Sequence, residues 1–372
     1  MSGDERNRSY LRLTLADGVG AVLFARLVKA FGGPAAVPVH SPSLLRKVEG
    51  IGEKTARSIA DLDESLIDEE LAEAARCRVT ILTDQDDDYP AALKTIFDRP
   101  PLLYVRGTLE PADAIALGVV GSRRCTHYGM EQAERFGQLL GRAGFTVVSG
   151  GARGIDTAAH RGSLAAGGRT IAVMGCGLSQ TYPPENHAFF EQVIGQGKGA
   201  LLSELPMRTA VLGGNFPMRN RIISGLSLGV LVVEAARRSG SLITAKEAAE
   251  QGRVVFALPG RVDSPLSQGA NQLIRDGAIL VQNLDDILEH LEHVGAKMTP
   301  APEEIAPQPL LPLALGGEEA ALADALTAGP LSLDELVAKT RLPTAKVAAA
   351  MTMLVLKGVV KQKPGSVFAR AR

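Results

Sequence analysis

The residues best suited to chemistry in this chain are arginines set among glycines and hydroxyls. They occur in Gly121-Ser122-Arg123-Arg124, Ser149-Gly150-Gly151-Ala152-Arg153-Gly154-Ile155-Asp156, Phe216-Pro217-Met218-Arg219-Asn220-Arg221 and Arg237-Arg238-Ser239-Gly240-Ser241. An arginine fork matches two phosphate oxygens, and a glycine turn that opens a helix offers backbone N–H groups to the same oxygens. Phe216 adds a ring on which a base can stack whatever the sequence. These runs contain no evident general base. The pattern suits holding a polyphosphate backbone better than catalysing a reaction, so a non-enzymatic role without cofactor or metal is expected. The candidate phosphate-binding set is Gly121, Ser122, Arg123, Ser149, Gly150, Gly151, Arg153, Gly154, Phe216, Arg219, Asn220, Arg221, Ser239, Gly240 and Ser241.

Each of these has a plain structural alternative. The glycine run after Val148 also fits a tight turn between a strand and a helix with no ligand, because glycine punctuates turns generally. Arg219 or Arg221 is alternatively a buried arginine paired with Glu234 or Asp156, and Asp156 a brace for its own helix. Phe216 fits a core position as well as a stacking platform. His160, on an alanine-rich helix, reads as packed. His290 and His293 lack a further ligand nearby in sequence, which argues against a metal site.

Two common nucleotide signatures are missing. The dinucleotide fingerprint needs G-x-G-x-x-G and an acidic residue about 20 positions later, whereas the run here is Gly150-Gly151-Ala152-Arg153-Gly154. No G-x-x-x-x-G-K-[ST] occurs, which argues against an ATP-hydrolysing phosphate loop.

At 372 residues and 45% hydrophobic content the chain has material for two or three domains with ordinary cores. No apolar run is long enough to cross a membrane, and residues 1–8 are polar, without the apolar stretch of a signal peptide. Cys77, Cys125 and Cys176 are isolated, so reduced cytoplasmic thiols are expected rather than a disulfide framework or a zinc site. The net charge is −1. Residues 1–110 are acidic, 111–294 nearly neutral and 295–372 weakly basic, so any basic face must arise from clustering in space.

The elements that position the arginines follow from periodicity. Residues 1–76 read as a helical domain, with Gly50-Ile51-Gly52 between two helices. That hairpin resembles the helix–hairpin–helix element of sterile-alpha-motif-like domains, but the acidic surroundings at Asp61, Asp63, Glu64, Asp68, Glu69, Glu70 and Glu73 argue against DNA contact there. Over 77–294 short apolar runs alternate with helical patterns. Strands are expected at Val79–Leu82, Leu102–Val105, Ile115–Val120, Phe145–Val148, Thr170–Met174, Ala200–Ser203, Gly229–Val233, Val254–Leu258 and Ala278–Leu280. This is the pattern of an α/β domain, a mostly parallel, Rossmann-like sheet covered on both faces. Its ligands bind beyond the carboxyl ends of the strands, where the glycine–arginine runs should gather. A proline-rich linker is expected at 295–315. Residues 316–372 read as three helices and a hairpin, Gly358 to Phe368, resembling a winged helix. The helix from Thr344 carries only Lys346 and Lys357 among apolar residues, which favours a structural or protein-contact role over base reading.

Taken together, the motifs are similar to those of the DprA/Smf family of DNA-processing proteins. The likeness rests on Gly121-Ser122-Arg123, Ser149 to Asp156 with Ala159-His160, Tyr182-Pro183 with Asn186, Ser203-Glu204, Phe216 to Ser227, Val233-Glu234-Ala235, Ser239 to Ala245, Pro259-Gly260 and Gly269 to Ile274. It implies an extended Rossmann-like core that binds single-stranded DNA, as a cytoplasmic homodimer that protects incoming strands in natural transformation and helps load the RecA recombinase. By motif position it makes Arg123 the phosphate-pocket arginine and Phe216 the aromatic of the DNA groove. Two departures stand out. Gly213-Gly214-Asn215 replaces a stretch that carries a basic residue in some members, leaving Arg208 or Arg153 to supply that charge. Gly269-Ala270-Asn271 replaces a more usual Gly-Thr-Asn. An alternative is a nucleotide-hydrolysing enzyme related to phosphoribohydrolases, whose Pro-Gly-Gly-x-Gly-Thr-x-x-Glu run is not present. A third is an adaptor that docks a protein through its C-terminal domain.

Overall fold

The computed structural model describes residues 3–297, 315–363 and 367–370. The first segment is helical: α1 (Gly3–Thr14), α2 (Ala21–Phe31), the single turn α3 (Pro42–Leu45), α4 (Glu53–Ala60) and α5 (Glu64–Arg76). Gly18 lies at positive φ in the turn between α1 and α2. The core follows as β1 (Thr80–Thr83), β2 (Leu102–Gly107), β3 (Ala116–Val120), α6 (His127–Ala143), β4 (Thr146–Ser149), α7 (Ile155–Ala165), β5 (Thr170–Val173), α8 (His187–Gly195) and β6 (Gly199–Ser203). It continues with α9 (Asn215–Leu226), β7 (Gly229–Val232), α10 (Ser241–Glu250), β8 (Val254–Ala257), α11 (Gln268–Arg275), β9 (Ile279–Leu280) and α12 (Leu284–Lys297). Every strand expected from the sequence is present, with ends that differ by one or two residues.

These strands form one nine-stranded sheet in the order β1-β2-β6-β5-β4-β3-β7-β8-β9. Neighbours from β6 to β9 are parallel, and β1–β2 and β2–β6 are antiparallel. The parallel strands β3 to β7 are buried throughout, as continuous apolar runs between two helix layers must be. One layer places Ile222, Ile223 and Leu226 of α9 and Ala245 and Ala248 of α10 against Val120, Val148, Val173 and Val232. The other places Phe136 and Leu140 of α6, Ile155 of α7 and Leu288 and Leu291 of α12 against Leu117, Val119, Val147 and Leu231. The N-terminal helices share a third cluster with the sheet, in which Leu11, Leu27 and Ile67 are continuous with Tyr104, Ala172 and Phe190.

The C-terminal segment holds α13 (Gly317–Ala325), β10 (Leu331–Ser332), α14 (Leu333–Thr340), α15 (Thr344–Leu356), β11 (Val360–Lys363) and β12 (Val367–Arg370). Its three strands pair in the order β10-β12-β11, so the expected hairpin gains a short third strand. Within α15, Met353 packs into the cluster that contains Phe136 and Leu291. Lys346 and Lys357 of this helix reach Glu318 at 2.9 Å and Glu319 at 2.6 Å on α13. The helix expected to be poor at base reading has its apolar face in a core and both its lysines paired. Most of the expected linker, 298–314, and the hairpin tip, 364–366, lie outside the described residues. No helix among the described residues is long and apolar enough to cross a membrane.

Candidate nucleic-acid interface

Strand order decides where the candidate residues meet. From β3 the chain passes to β4 on one side, while β7 pairs with β3 on the other. Helix α6, which follows β3, packs on one face of the sheet, and α10, which follows β7, packs on the opposite face. Helices that leave in opposite directions open a crevice at the carboxyl ends of the two strands. A cleft of about 640 Å³ lies there. Gly121, Ser122, Arg123, Phe216, Arg219, Asn220, Ser239, Gly240 and Ser241 of the candidate set all line it, together with Arg124, Asp156, Arg238 and Thr244.

The exposed wall carries free positive charge. Arg123, Arg124 and Arg238 are exposed and make no ion pair among the described residues. The Arg123 guanidinium lies 4.5 Å over the Phe216 ring. Phe216 is half-buried, with Gly175 beneath it where a Cβ would come within 2.8 Å of the ring. The row continues through Tyr182, 5.7 Å from Phe216 between centroids, to Arg153, 5.9 Å from Tyr182. Tyr182 belongs to this row although it is not in the candidate set; the signal available in the sequence was an aromatic just past the β5 turn. The first turns of α9 and α10 border the same cleft through Phe216 and Pro217 and through Gly240 and Ser241. The positive dipole ends of these helix starts add to the arginine charge.

The floor is different, and there the candidate set needs correction. The turn from Ser149 to Asp156 resembles an anion cradle in sequence, but three of its donors are used internally. The Ser149 hydroxyl donates to the Val119 carbonyl at 2.6 Å. The Ala152 N–H donates to the Asp156 carboxylate at 3.3 Å, and the Ile155 N–H to the Ser122 carbonyl at 3.3 Å. Gly154, at φ +75°, is required because a Cβ would run into the Ser122 carbonyl oxygen. Gly150 is required because a Cβ would sit 2.5 Å from Nη2 of Arg219 and 2.7 Å from Oδ2 of Asp156. Gly151, also at positive φ, packs under Phe190. These glycines are required by the packing of the floor.

The arginines divide in the same way. Arg219 is 4% exposed, donates to the Gly150 carbonyl at 2.9 Å and has Asp156 as its counter-charge. Arg221 is the clearest correction. Its Nη1 and Nη2 reach Glu204 at 2.6 and 2.7 Å and its Nε reaches the Asp98 carboxylate at 2.9 Å, so its charge is neutralised away from the cleft. Arg208 is held by Glu73 at 3.4 Å and Glu69 at 3.6 Å on α5 and does not replace the missing basic residue near Gly213. Arg153 stands at the rim, half exposed and paired with Glu185. Glu234 turns to α6, where its carboxylate accepts from the Thr126 hydroxyl at 2.9 Å. Asn220 donates to the Gly240 carbonyl at 3.3 Å, and the Ser239 and Ser241 hydroxyls lie 2.8 Å apart at the start of α10. In Gly269-Ala270-Asn271, Ala270 is buried and Asn271 pairs both ways with the Gly260 backbone at 3.0 Å. His160 is buried against Thr170 and held neutral, its pKa lowered to about 3 by burial. His290 makes a hydrogen bond with the Asp286 carbonyl on its own helix, and the side chain of His293 lies outside the described residues.

Burial raises the Asp156 carboxyl to about 6, against the opposing pull of Arg219, the Ala152 N–H and Arg123. Burial also lowers Arg219 to about 10, with Asp156 opposing and Arg123 adding to the fall. Because the folded-state pKa of Asp156 lies above its unfolded value, the native state holds the extra proton between about pH 4 and 6, and the contribution of Asp156 to stability falls as pH rises through that window. For an anionic ligand, protonation removes a negative charge from the floor. Affinity for such a ligand is expected to rise as pH falls from 7 to 5, by about tenfold for each unit by which the bound anion raises the Asp156 pKa further. Binding isotherms across that range test this, and Asp156→Asn should flatten the profile.

Known proteins share both the sequence motifs and the sheet that carries the cleft. A family model for DNA recombination-mediator protein A matches residues 80–292, and one for the DprA winged helix domain matches 306–366. The chain belongs to the DprA/Smf family. Protein Smf of a Synechocystis strain is 36% identical over 401 residues, covering 97% of this chain and 98% of that protein. Protein Smf of Escherichia coli is 41% identical over 264 residues, covering 71% and 70%. The DprA structure from Streptococcus pneumoniae superposes with a TM-score of 0.67 at 33% identity over 76% of this chain and 97% of that one. A Helicobacter pylori DprA structure, described for its single-stranded DNA binding mode, superposes at 0.51 with 29% identity over 58% of this chain and 97% of that one. In the DprA/Smf frame, the matched core is the sheet whose strand ends form the cleft.

Proposed function

We propose that this DprA/Smf protein binds single-stranded DNA in the β3/β7 cleft, largely without regard to sequence and without catalysing a reaction. The observation that carries this reading is Arg123 lying over Phe216 beside Arg124, Arg238 and the starts of α9 and α10. Free guanidinium forks and helix starts suit phosphates, and a half-buried ring with an arginine on it suits an unpaired base. A duplex hides its base faces, so single strands are preferred. The only carboxylate lining the cleft among the described residues is Asp156, which is buried and accepts from the Ala152 N–H, and no histidine or cysteine among them lines it. This supports a binding site over the hydrolase alternative. Family membership supports the wider role: a cytoplasmic homodimer that protects incoming strands and passes them to RecA.

Phosphate neutralisation dominates such a site, so log affinity for oligo-dT should fall linearly with log salt, with a slope of about −0.7 for each phosphate contacted. Fluorescence anisotropy across a salt series, with duplex competitor, measures both the slope and the strand preference. A flat slope, or duplex competing as well as the single strand, would refute this reading. Base or phosphate release from nucleoside monophosphates would restore the hydrolase alternative.

A further inference from the structure

Beyond the cleft the same sheet edge carries an unusual exposure of apolar side chains. Phe97 is 90% exposed and Met218 is 64% exposed. Strand β2 runs antiparallel to β6, with Tyr104 opposite Ser203. The start of β2 therefore lies at the end of β6, and the segment Phe97-Asp98-Arg99 that leads into it emerges on the edge that holds the cleft. Met218 follows Phe216 and Pro217 in the first turn of α9, the turn that borders the cleft.

The two exposed residues are held together from beneath. Arg221 donates to the Asp98 carbonyl at 3.1 Å and to the Met218 carbonyl at 3.0 Å, while Glu204 neutralises it. A buried, charge-neutralised arginine thus fastens the Phe97 loop to the start of α9. The Phe97 ring gains nothing for the core of the protein, while the backbone beside it is fastened at this edge. Lys94 is exposed one turn earlier, on the 3-10 turn Ala91–Thr95. Arg99 follows Phe97 by two residues, exposed and anchored through Nε to Asp84 at 3.1 Å. An aromatic flanked by basic side chains is the composition of a single-strand track. Strands in a sheet are about 4.8 Å apart, so the four steps from β3 to β2 span roughly 19 Å, room for a few nucleotides. Asp87 and Asp88, exposed past the end of β1, repel phosphate and mark where the track stops.

We propose that a bound single strand continues from the cleft over the first turn of α9 and stacks a base on Phe97, with Met218 as the apolar step between. This rests on the DNA reading of the cleft and extends its footprint.

The test uses the full chain and a ladder of oligo-dT from about 6 to about 30 nucleotides, spanning the site sizes of single-strand binders. Affinity of the wild type should climb with length beyond what the cleft alone holds. Phe97→Ala should cut that climb by about five- to tenfold, the lower range for one stacked base. Met218→Ala should cut it less. Photocrosslinking of a 5-iododeoxyuridine strand to the unmodified protein should map to Phe97. A Phe97→Ala length profile that matches the wild type, with no crosslink at Phe97, overturns the track while leaving the cleft reading intact. Failure of the wild type to bind any strand overturns the cleft reading itself. A Phe97→Ala change in sedimentation with an unaltered length profile makes this a protein contact, and also overturns the track.

Discussion

Arg123→Ala is expected to weaken single-strand binding by about 10- to 100-fold at moderate salt, the effect of removing one charge-assisted hydrogen bond worth about 1.5–3 kcal/mol. Two effects combine. The guanidinium is free of ion pairs among the described residues, so its whole charge is available to phosphate. It also lies 4.5 Å over Phe216, so its removal leaves the ring without the cation that covers it. The weakening should be nearly the same for all base compositions, because phosphate contacts position a strand without reading it. The salt slope should become shallower by about 0.7 for each phosphate that is no longer neutralised. Arg123→Lys should recover only part of the affinity: an ammonium keeps the charge but neither the fork nor the flat stacking surface. Anisotropy titrations of the three proteins at two salt concentrations measure all of this, and unchanged affinity in Arg123→Ala would remove Arg123 from the site.

Arg219→Met should act on stability first. Arg219 is buried, and its guanidinium satisfies the Gly150 carbonyl and offsets the Asp156 charge. Its removal leaves the Gly150 carbonyl without its donor and the buried Asp156 carboxylate without its largest opposing charge, a loss of about 1–3 kcal/mol. Part of the penalty is avoided by protonation, so the Asp156 pKa, already raised to about 6, should rise further. The variant should accordingly be closer to the wild type at pH 5 than at pH 8. Asp156→Asn added to Arg219→Met should recover stability at pH 8, because the stranded charge is then gone. Denaturant unfolding of the wild type, both single variants and the double variant at both pH values measures the coupling. A destabilisation below about 1 kcal/mol for Arg219→Met would show that Arg219 is not the counter-charge of Asp156.

Arg219 and Arg221 show how far local pattern carries. Both sit in one motif, and the sequence leaves open whether each is buried. They are two residues apart and so project about 200° apart around α9. One therefore meets Asp156 and the Gly150 carbonyl under the cleft, and the other meets Glu204 and Asp98 on the side towards β6. Nothing in the local run distinguishes them. The pairing with Glu234 weighed in the sequence does not form, because Glu234 is engaged at the start of α6.

Features that depend on neighbours along the chain could be read from the residues alone. Short apolar runs bounded by glycine specify strands, helical periodicity specifies the crossovers between them, and together they require a mostly parallel sheet with the glycine–arginine turns on one edge. The alanine-rich Thr344 helix was legible as largely apolar for the same reason. Which charges remain available on that edge emerges only when the chain is folded. Arg123, Arg124 and Arg238 are free of ion pairs among the described residues, whereas Arg153, Arg208 and Arg221 are engaged by acids at least seventeen positions away in the chain. In the Ser149–Asp156 turn, the most conspicuous anion motif in the sequence, the Ala152 and Ile155 N–H groups are taken by its own aspartate and by the Ser122 carbonyl. The arrival of Phe97 at the same edge depends on β2 running against β6, and strand direction is set by pairing across the sheet, which no local stretch of sequence encodes.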